Sequence, residues 1–258
     1  MSYDALIKTI IDRYILILKD NLVGIYLHGS YVMEGFNPAV SDIDFLVVIE
    51  ENIENETKRQ LITVLLELDQ YSPAKGLEMS IMKASDVMSP SKPTPFALHY
   101  SDYHKDRYKT ELDYICCGDD DPDLLAHLTI IKSRGQCVYG KEISDVFGLV
   151  PVEYYLQAIM YDLNDARGGI NDNHEYYVLN MCRSLQYLKE GTISSKAEGG
   201  NWAINNLPDE FTVYVEEALN KYKGTEYTWD IGNNDIIKFK NYMFKEIDGL
   251  LAKYDEIK

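Results

Sequence analysis

The period of the hydrophobic pattern changes once along this chain, and that change constrains the fold more than any other feature. Up to about residue 88, short apolar runs alternate with helical stripes; after Pro122 nearly every segment repeats with helical spacing. Residues 3–19 place Ile7, Ile10, Ile11, Tyr14 and Leu18 on one helical stripe. The run from Leu22 to Leu27, closed by Gly29, reads as a buried strand, and so does Ile43 to Ile49 with its β-branched residues. Glu56 to Leu68 is helical, with Leu61, Val64, Leu65 and Leu68 as its apolar face, and Leu77 to Met82 alternates as a third strand. Pro90, Pro93, Pro95 and Pro122 break the pattern between 88 and 122. Beyond them, helices are expected over 123–134, 151–166, 175–190, 195–206, 209–222 and 233–254, with Gly191 and Gly224 at helix ends. The expected fold class is therefore α+β: an N-terminal domain, 1–148, with a mixed sheet and flanking helices, then an all-helical bundle, 149–258.

Charge narrows the function. Lys and Arg number 25 against 42 Asp and Glu, a formal net of −17. Such a surface repels a phosphate backbone, so nucleic acid is an unsuitable partner, and it attracts a polycationic one. No apolar run approaches the roughly 20 residues that cross a bilayer, and Met1-Ser2-Tyr3-Asp4 does not open a leader, so no membrane partner is expected. The cysteines at 116, 117, 137 and 182 form no Cys-x-x-Cys and no zinc spacing, which fits reduced thiols in a cytoplasm.

The chemistry concentrates in Gly29-Ser30, followed after eleven residues by Asp42-Ile43-Asp44 and the strand Phe45-Leu46-Val47-Val48. Carboxylates two apart on a strand point to one face, and two like charges side by side are costly unless a cation lies between them. Mg²⁺ takes hard oxygen ligands, commonly one or two carboxylates plus substrate phosphates. Glycine before Ser30 lets the backbone approach a ligand, and a turn entering a helix there would aim N–H groups and the hydroxyl at a phosphate. Glu78, second in the third strand, offers another carboxylate beside the pair. The five histidines (28, 99, 104, 127, 174) make no His-x-x-x-His, so none reads as a metal ligand, and Asp119-Asp120-Asp121 reads as a solvated loop.

The string Leu27-His28-Gly29-Ser30 with Ser41-Asp42-Ile43-Asp44-Phe45-Leu46-Val47-Val48 resembles the DNA-polymerase-β-like nucleotidyltransferases, and within them the aminoglycoside adenylyltransferases acting on spectinomycin and streptomycin. Val178 to Arg183, Gly191 to Lys196, Asn201-Trp202-Ala203, Leu207-Pro208 and Ala218 to Gly224 resemble that family's helical C-terminal domain, so the likeness covers nearly the whole chain. The resemblance implies an N-terminal nucleotidyltransferase domain and a magnesium-dependent transfer of AMP from ATP to a drug hydroxyl. It implies that Asp42 and Asp44 hold Mg²⁺, that Gly29, Ser30 and Ser41 meet the triphosphate, and that Glu78 is the catalytic base. Arg183, Lys196 and Tyr222 match residues that reach the nucleotide. Relatives that modify both drugs carry tryptophan where this chain has Tyr103 and aspartate where it has Gly169, residues tied to streptomycin recognition. The departure favours the spectinomycin 9-hydroxyl over the streptomycin 3''-hydroxyl as acceptor. Tyr103, which can stack on a sugar ring, and His174, in a segment between helices, are candidate substrate contacts. A monomer is expected. An adenylyltransferase of a protein or metabolite would use the same machinery. A non-catalytic nucleotide-binding module would not need Glu78.

Overall fold

The computed structural model describes every residue except 34, 119, 169–172, 225–232 and 258. The chain divides into two compact units, Met1–Val32 with Pro38–Ala158, and Met33–Asn37 with Ile159–Lys258.

The first unit is built on a five-stranded mixed sheet. In chain order come α1 (Tyr3–Leu18), β1 (Leu22–His28), β2 (Ile43–Ile49), α2 (Asn55–Leu68), β3 (Leu77–Lys83), α3 (Ala84–Met88), β4 (Leu98–Tyr100), α4 (Asp102–Thr110), α5 (Leu124–Arg134), β5 (Gln136–Gly140) and α6 (Ile143–Val146). The strand order is β4-β3-β2-β1-β5. Only β2 and β3 run parallel, joined through α2 as a parallel pair requires; the other pairs are antiparallel.

Alternation along the strands sorts side chains onto two faces. Ile25, Leu27, Ile43 and Phe45 turn toward Ile7 and Ile10 of α1. Tyr14 seals that layer, its ring edge-on to Phe45 and its hydroxyl donating to the Leu61 carbonyl at 3.3 Å. Tyr26, Leu46, Val48 and Met82 turn the other way, against Leu124, Leu128 and Ile131 of α5 and Val146 and Phe147. With both faces covered, β2 is buried along its length except at Asp44, and β3 is interrupted by Glu78.

The second unit is helical, with the later part of α7 (Val152–Gly168), then α8 (His174–Glu190), α9 (Lys196–Asn206), α10 (Asp209–Tyr222) and α11 (Asn233–Ile257). α8 packs against α9, α10 and α11 through Val178, Leu179, Met181, Cys182 and Leu185. A Cβ on Gly199 would lie 2.7 Å from the Arg183 Cα, so only glycine permits so close an approach of α9 to α8. No described helix is long and apolar enough to cross a membrane.

Two expectations need correction. The segment 88–122 is not irregular throughout: it contains β4 and α4. The stretch after Pro122 is not wholly helical, because Gln136–Gly140 adds an edge strand to β1. That strand is short and half-exposed, so it lacks the buried apolar run that identifies a central strand.

Candidate active site

The strand registers assemble the polar site. Asp44 pairs with His28 of β1 on one side and with Glu78 of β3 on the other, so all three side chains rise from one face of the sheet. Asp42 lies just ahead of β2. Ligand atoms of Asp42, Asp44 and Glu78 all fall within 4.8 Å of one another, and no other cluster of this kind occurs among the described residues. Three hard oxygen donors at that separation suit Mg²⁺ or another small divalent cation.

The turn after β1 closes against the same carboxylates. Gly29 has φ +67°, and a Cβ there would lie 1.9 Å from Asp44 Oδ2, so the position needs glycine for both conformation and space. Ser30 follows with a buried hydroxyl that has no hydrogen-bond partner among the described groups. An orphaned hydroxyl beside an acidic cluster is what a phosphate oxygen would satisfy. Residues Gly29–Tyr31 make only a single 3₁₀ turn, so the helix expected there does not form. Ser41 is buried at the entry to β2.

The α5 helix contributes groups that the sequence did not single out. His127 is half-buried, with Nε2 3.3 Å from Asp123 Oδ2 and 3.9 Å from Glu78 Oε1. Its ring lies 4.8 Å, centroid to centroid, from that of His28. Burial alone would lower the His127 pKa, but Asp123, Glu78 and Asp44 together raise it to about 10, which favours the charged ring. His28 is fully enclosed; burial, with the His127 charge beside it, keeps it neutral. Burial also raises the Glu78 carboxyl; His127 opposes the rise and Asp42 adds to it. A carboxyl so placed can accept a proton near neutral pH. The one signal in the sequence was the pair Asp123 and His127 at i,i+4 on a helix. In the run read as a solvated loop, Asp120 is exposed and Asp121 is half-buried, and burial raises the Asp121 carboxyl. Asp120 accepts a hydrogen bond from the Thr94 amide at 2.8 Å, and Asp119 lies outside the described residues.

The other expected residues lie as follows. Tyr103, on α4, is 86% exposed, its ring edge-on to His104. In the helical unit, Arg183 on α8 is half-buried and makes no ion pair with a described residue. Lys196 opens α9, its Nζ 4.5 Å from the centre of the Tyr176 ring. Tyr222 ends α10, and its carbonyl accepts from Asn37 Nδ2 at 2.7 Å. A Cβ on Gly35 would lie 3.6 Å from both the Ser195 hydroxyl and Tyr222 Oη, so the start of α9 and the end of α10 adjoin. His174 is the first residue of α8 rather than part of a connecting segment. Gly169 lies outside the described residues.

The chain is similar to known proteins in sequence and in fold. The family model "Nucleotidyltransferase domain" matches residues 11–96, and "Aminoglycoside adenylyltransferase, C-terminal domain" matches 145–246. A spectinomycin 9-adenylyltransferase of Campylobacter jejuni is 25% identical over 240 residues, 91% of this chain and 92% of that protein. One of Enterococcus faecalis is 26% identical over 247 residues, 93% and 94% of the two. An aminoglycoside (3'')(9) adenylyltransferase of Klebsiella pneumoniae is 25% identical over 257 residues, 95% of this chain and 93% of that protein. In fold, the chain is similar to the crystal structure of an enterococcal spectinomycin adenyltransferase, AAD(9), solved with ATP and spectinomycin. The TM-score is 0.80 at 23% identity, over 96% of this chain and 100% of that one.

Proposed function

The chain belongs to the aminoglycoside adenylyltransferase family of nucleotidyltransferases, and on that premise we propose that it transfers AMP from ATP to a hydroxyl of an aminocyclitol antibiotic. The observation that carries the reading is the convergence of Asp42, Asp44 and Glu78 beside the Gly29 turn and the unpartnered Ser30 hydroxyl.

In this reading the acceptor hydroxyl oxygen bonds to the α-phosphorus, the bond from that phosphorus to the bridging oxygen breaks, and pyrophosphate leaves. Glu78 takes the hydroxyl proton, since a neutral alcohol is a poor nucleophile. Asp42 and Asp44 hold the divalent cation. The donor set fits Mg²⁺, which when bound would offset charge on the attacking and leaving oxygens. Gly29, Ser30 and Ser41 orient the triphosphate, and in-line positioning supplies much of the rate. Arg183, Lys196 and Tyr222 of the helical domain, taken as 149–258, bind the nucleotide, the two cations opposing its negative charge. Tyr103 and His174 contact the acceptor. We favour the spectinomycin 9-hydroxyl over the streptomycin 3''-hydroxyl, a choice supported by the spectinomycin-modifying relatives and by tyrosine at 103. The enzyme acts as a monomer in the cytoplasm, where ATP is available and its four free cysteines stay reduced, and it confers resistance on its host.

The test is direct. Purified protein with ATP, Mg²⁺ and spectinomycin should release pyrophosphate stoichiometrically with adenylylated drug, and streptomycin should react more slowly. Pyrophosphate release with none of spectinomycin, streptomycin and a panel of aminoglycosides would overturn the reading. Expression in a susceptible bacterium, with growth recorded on each drug, tests resistance.

A further inference from the structure

We infer that His127 is a positioning residue that holds the Glu78 carboxylate in place for the transfer reaction. The inference deepens the proposed function and rests on the reading of Glu78 as the base. Glu78 stands in a cluster of like charge, with ligand atoms of Asp42 and Asp44 within 4.8 Å. Where no cation lies among them, repulsion from those two carboxylates pushes the Glu78 head group away from the site. On its other side stands His127, whose Nε2 lies 3.9 Å from Glu78 Oε1; it is the one cationic group at ion-pair distance from Glu78 among the described residues.

His127 cannot swing to follow a moving partner. Asp123, four residues earlier at the N-cap of α5, sits 3.3 Å from the same Nε2. A ring nitrogen carries one hydrogen, and the shorter contact directs it to Asp123, which fixes the plane of the ring. The ring packs at a tilt of 47° against His28, centroids 4.8 Å apart, and His28 is itself the register partner of Asp44. His127 is therefore clamped by α5 and β1 and presents its charge to β3. It restrains Glu78 by attraction across a short gap, so the carboxylate keeps its place whether or not an acceptor has arrived. Outer-shell groups that orient the residues of a metal site commonly alter affinity or activity by about 10- to 100-fold when removed.

His127→Gln removes the charge while keeping a polar side chain of similar reach. With ATP, Mg²⁺ and spectinomycin, kcat should fall about tenfold or more, and KM for ATP and for the acceptor should each stay within about twofold. The crystal structure of the variant should show the Glu78 carboxylate withdrawn from Asp44. An unchanged kcat, a loss carried by KM, or a Glu78 that keeps its position would overturn the inference. If the variant does not fold, as judged by thermal unfolding, Asp123→Asn decides: a loss in kcat alone supports the inference and an unaltered kcat refutes it. The structural arm needs no acceptor. Wild-type protein that adenylylates no drug would thus defeat the proposed function, while the Glu78 position in His127→Gln still judges His127.

Discussion

The proposed role of Glu78 separates binding from chemistry at the scale of single residues. The Glu78 carboxylate faces the Asp42–Asp44 pair but lies on a neighbouring strand, so Glu78→Gln keeps the shape of the site and removes only the proposed proton acceptor. The expected result is a fall in kcat of about 100-fold or more, with ATP affinity measured by calorimetry nearly unchanged; near-normal turnover would exclude Glu78 as base. A second residue-scale effect belongs to His99 on β4, which shares a hydrogen bond with Ser80 at 2.9 Å. Burial, with His104 and His127 adding, lowers its imidazole to about 4. In the unfolded chain the same ring titrates near ~6.5. Between these values the unfolded state binds more protons, so this residue's contribution makes stability fall as pH falls through the window. His99→Asn abolishes that contribution. Urea unfolding of variant and wild type in parallel should show the variant gaining on the order of 1–2 kcal/mol relative to wild type between neutral pH and the low end of the window. A constant difference across pH would contradict the assignment.

Elements explain why the site is rigid. β2 is a central strand with both faces covered, and slipping its register by one residue would send Asp44 to the α1 side and Phe45 to the acidic side. The site is thus fixed by the whole hydrophobic alternation of Ile43–Ile49, not by local contacts of the aspartates. The same logic applies to α9, whose start carries Lys196. Ser195 caps it by accepting from the Glu198 amide at 3.1 Å, while the Glu198 carboxylate accepts from the Ser195 amide at 2.7 Å. Ser195→Ala opens this box, and the helical unit should lose about 1 kcal/mol in urea unfolding. An unchanged midpoint and slope would show that packing against α8 alone holds the helix.

Charge acts across the whole molecule. A formal net of −17 draws a polycationic acceptor toward the protein and repels free nucleotide. Raising ionic strength from ~0.02 M to ~0.2 M shortens the screening length severalfold, so KM for a cationic acceptor should rise while KM for MgATP should not. Parallel behaviour of the two would show that steering is absent. The N-terminal strands β1 to β3 and six of the seven described helices after Pro122, all but the four-residue α6, were legible in the sequence because each is long enough, or buried enough, to print its period on the residues. Gly29, Asp42 and Asp44 were legible because neighbouring turn and strand positions are fixed by local chain geometry. β4, α4 and β5 were not, since short edge elements carry little periodic signal and owe their form to the neighbour they pair with. The place of His127 was likewise hidden. Only the packing of α5 over the sheet brings its imidazole to Glu78, 49 residues away in sequence, because a contact between distant segments is made by burying apolar faces such as Leu124, Leu128 and Ile131, not by the polar residues that the burial carries with it.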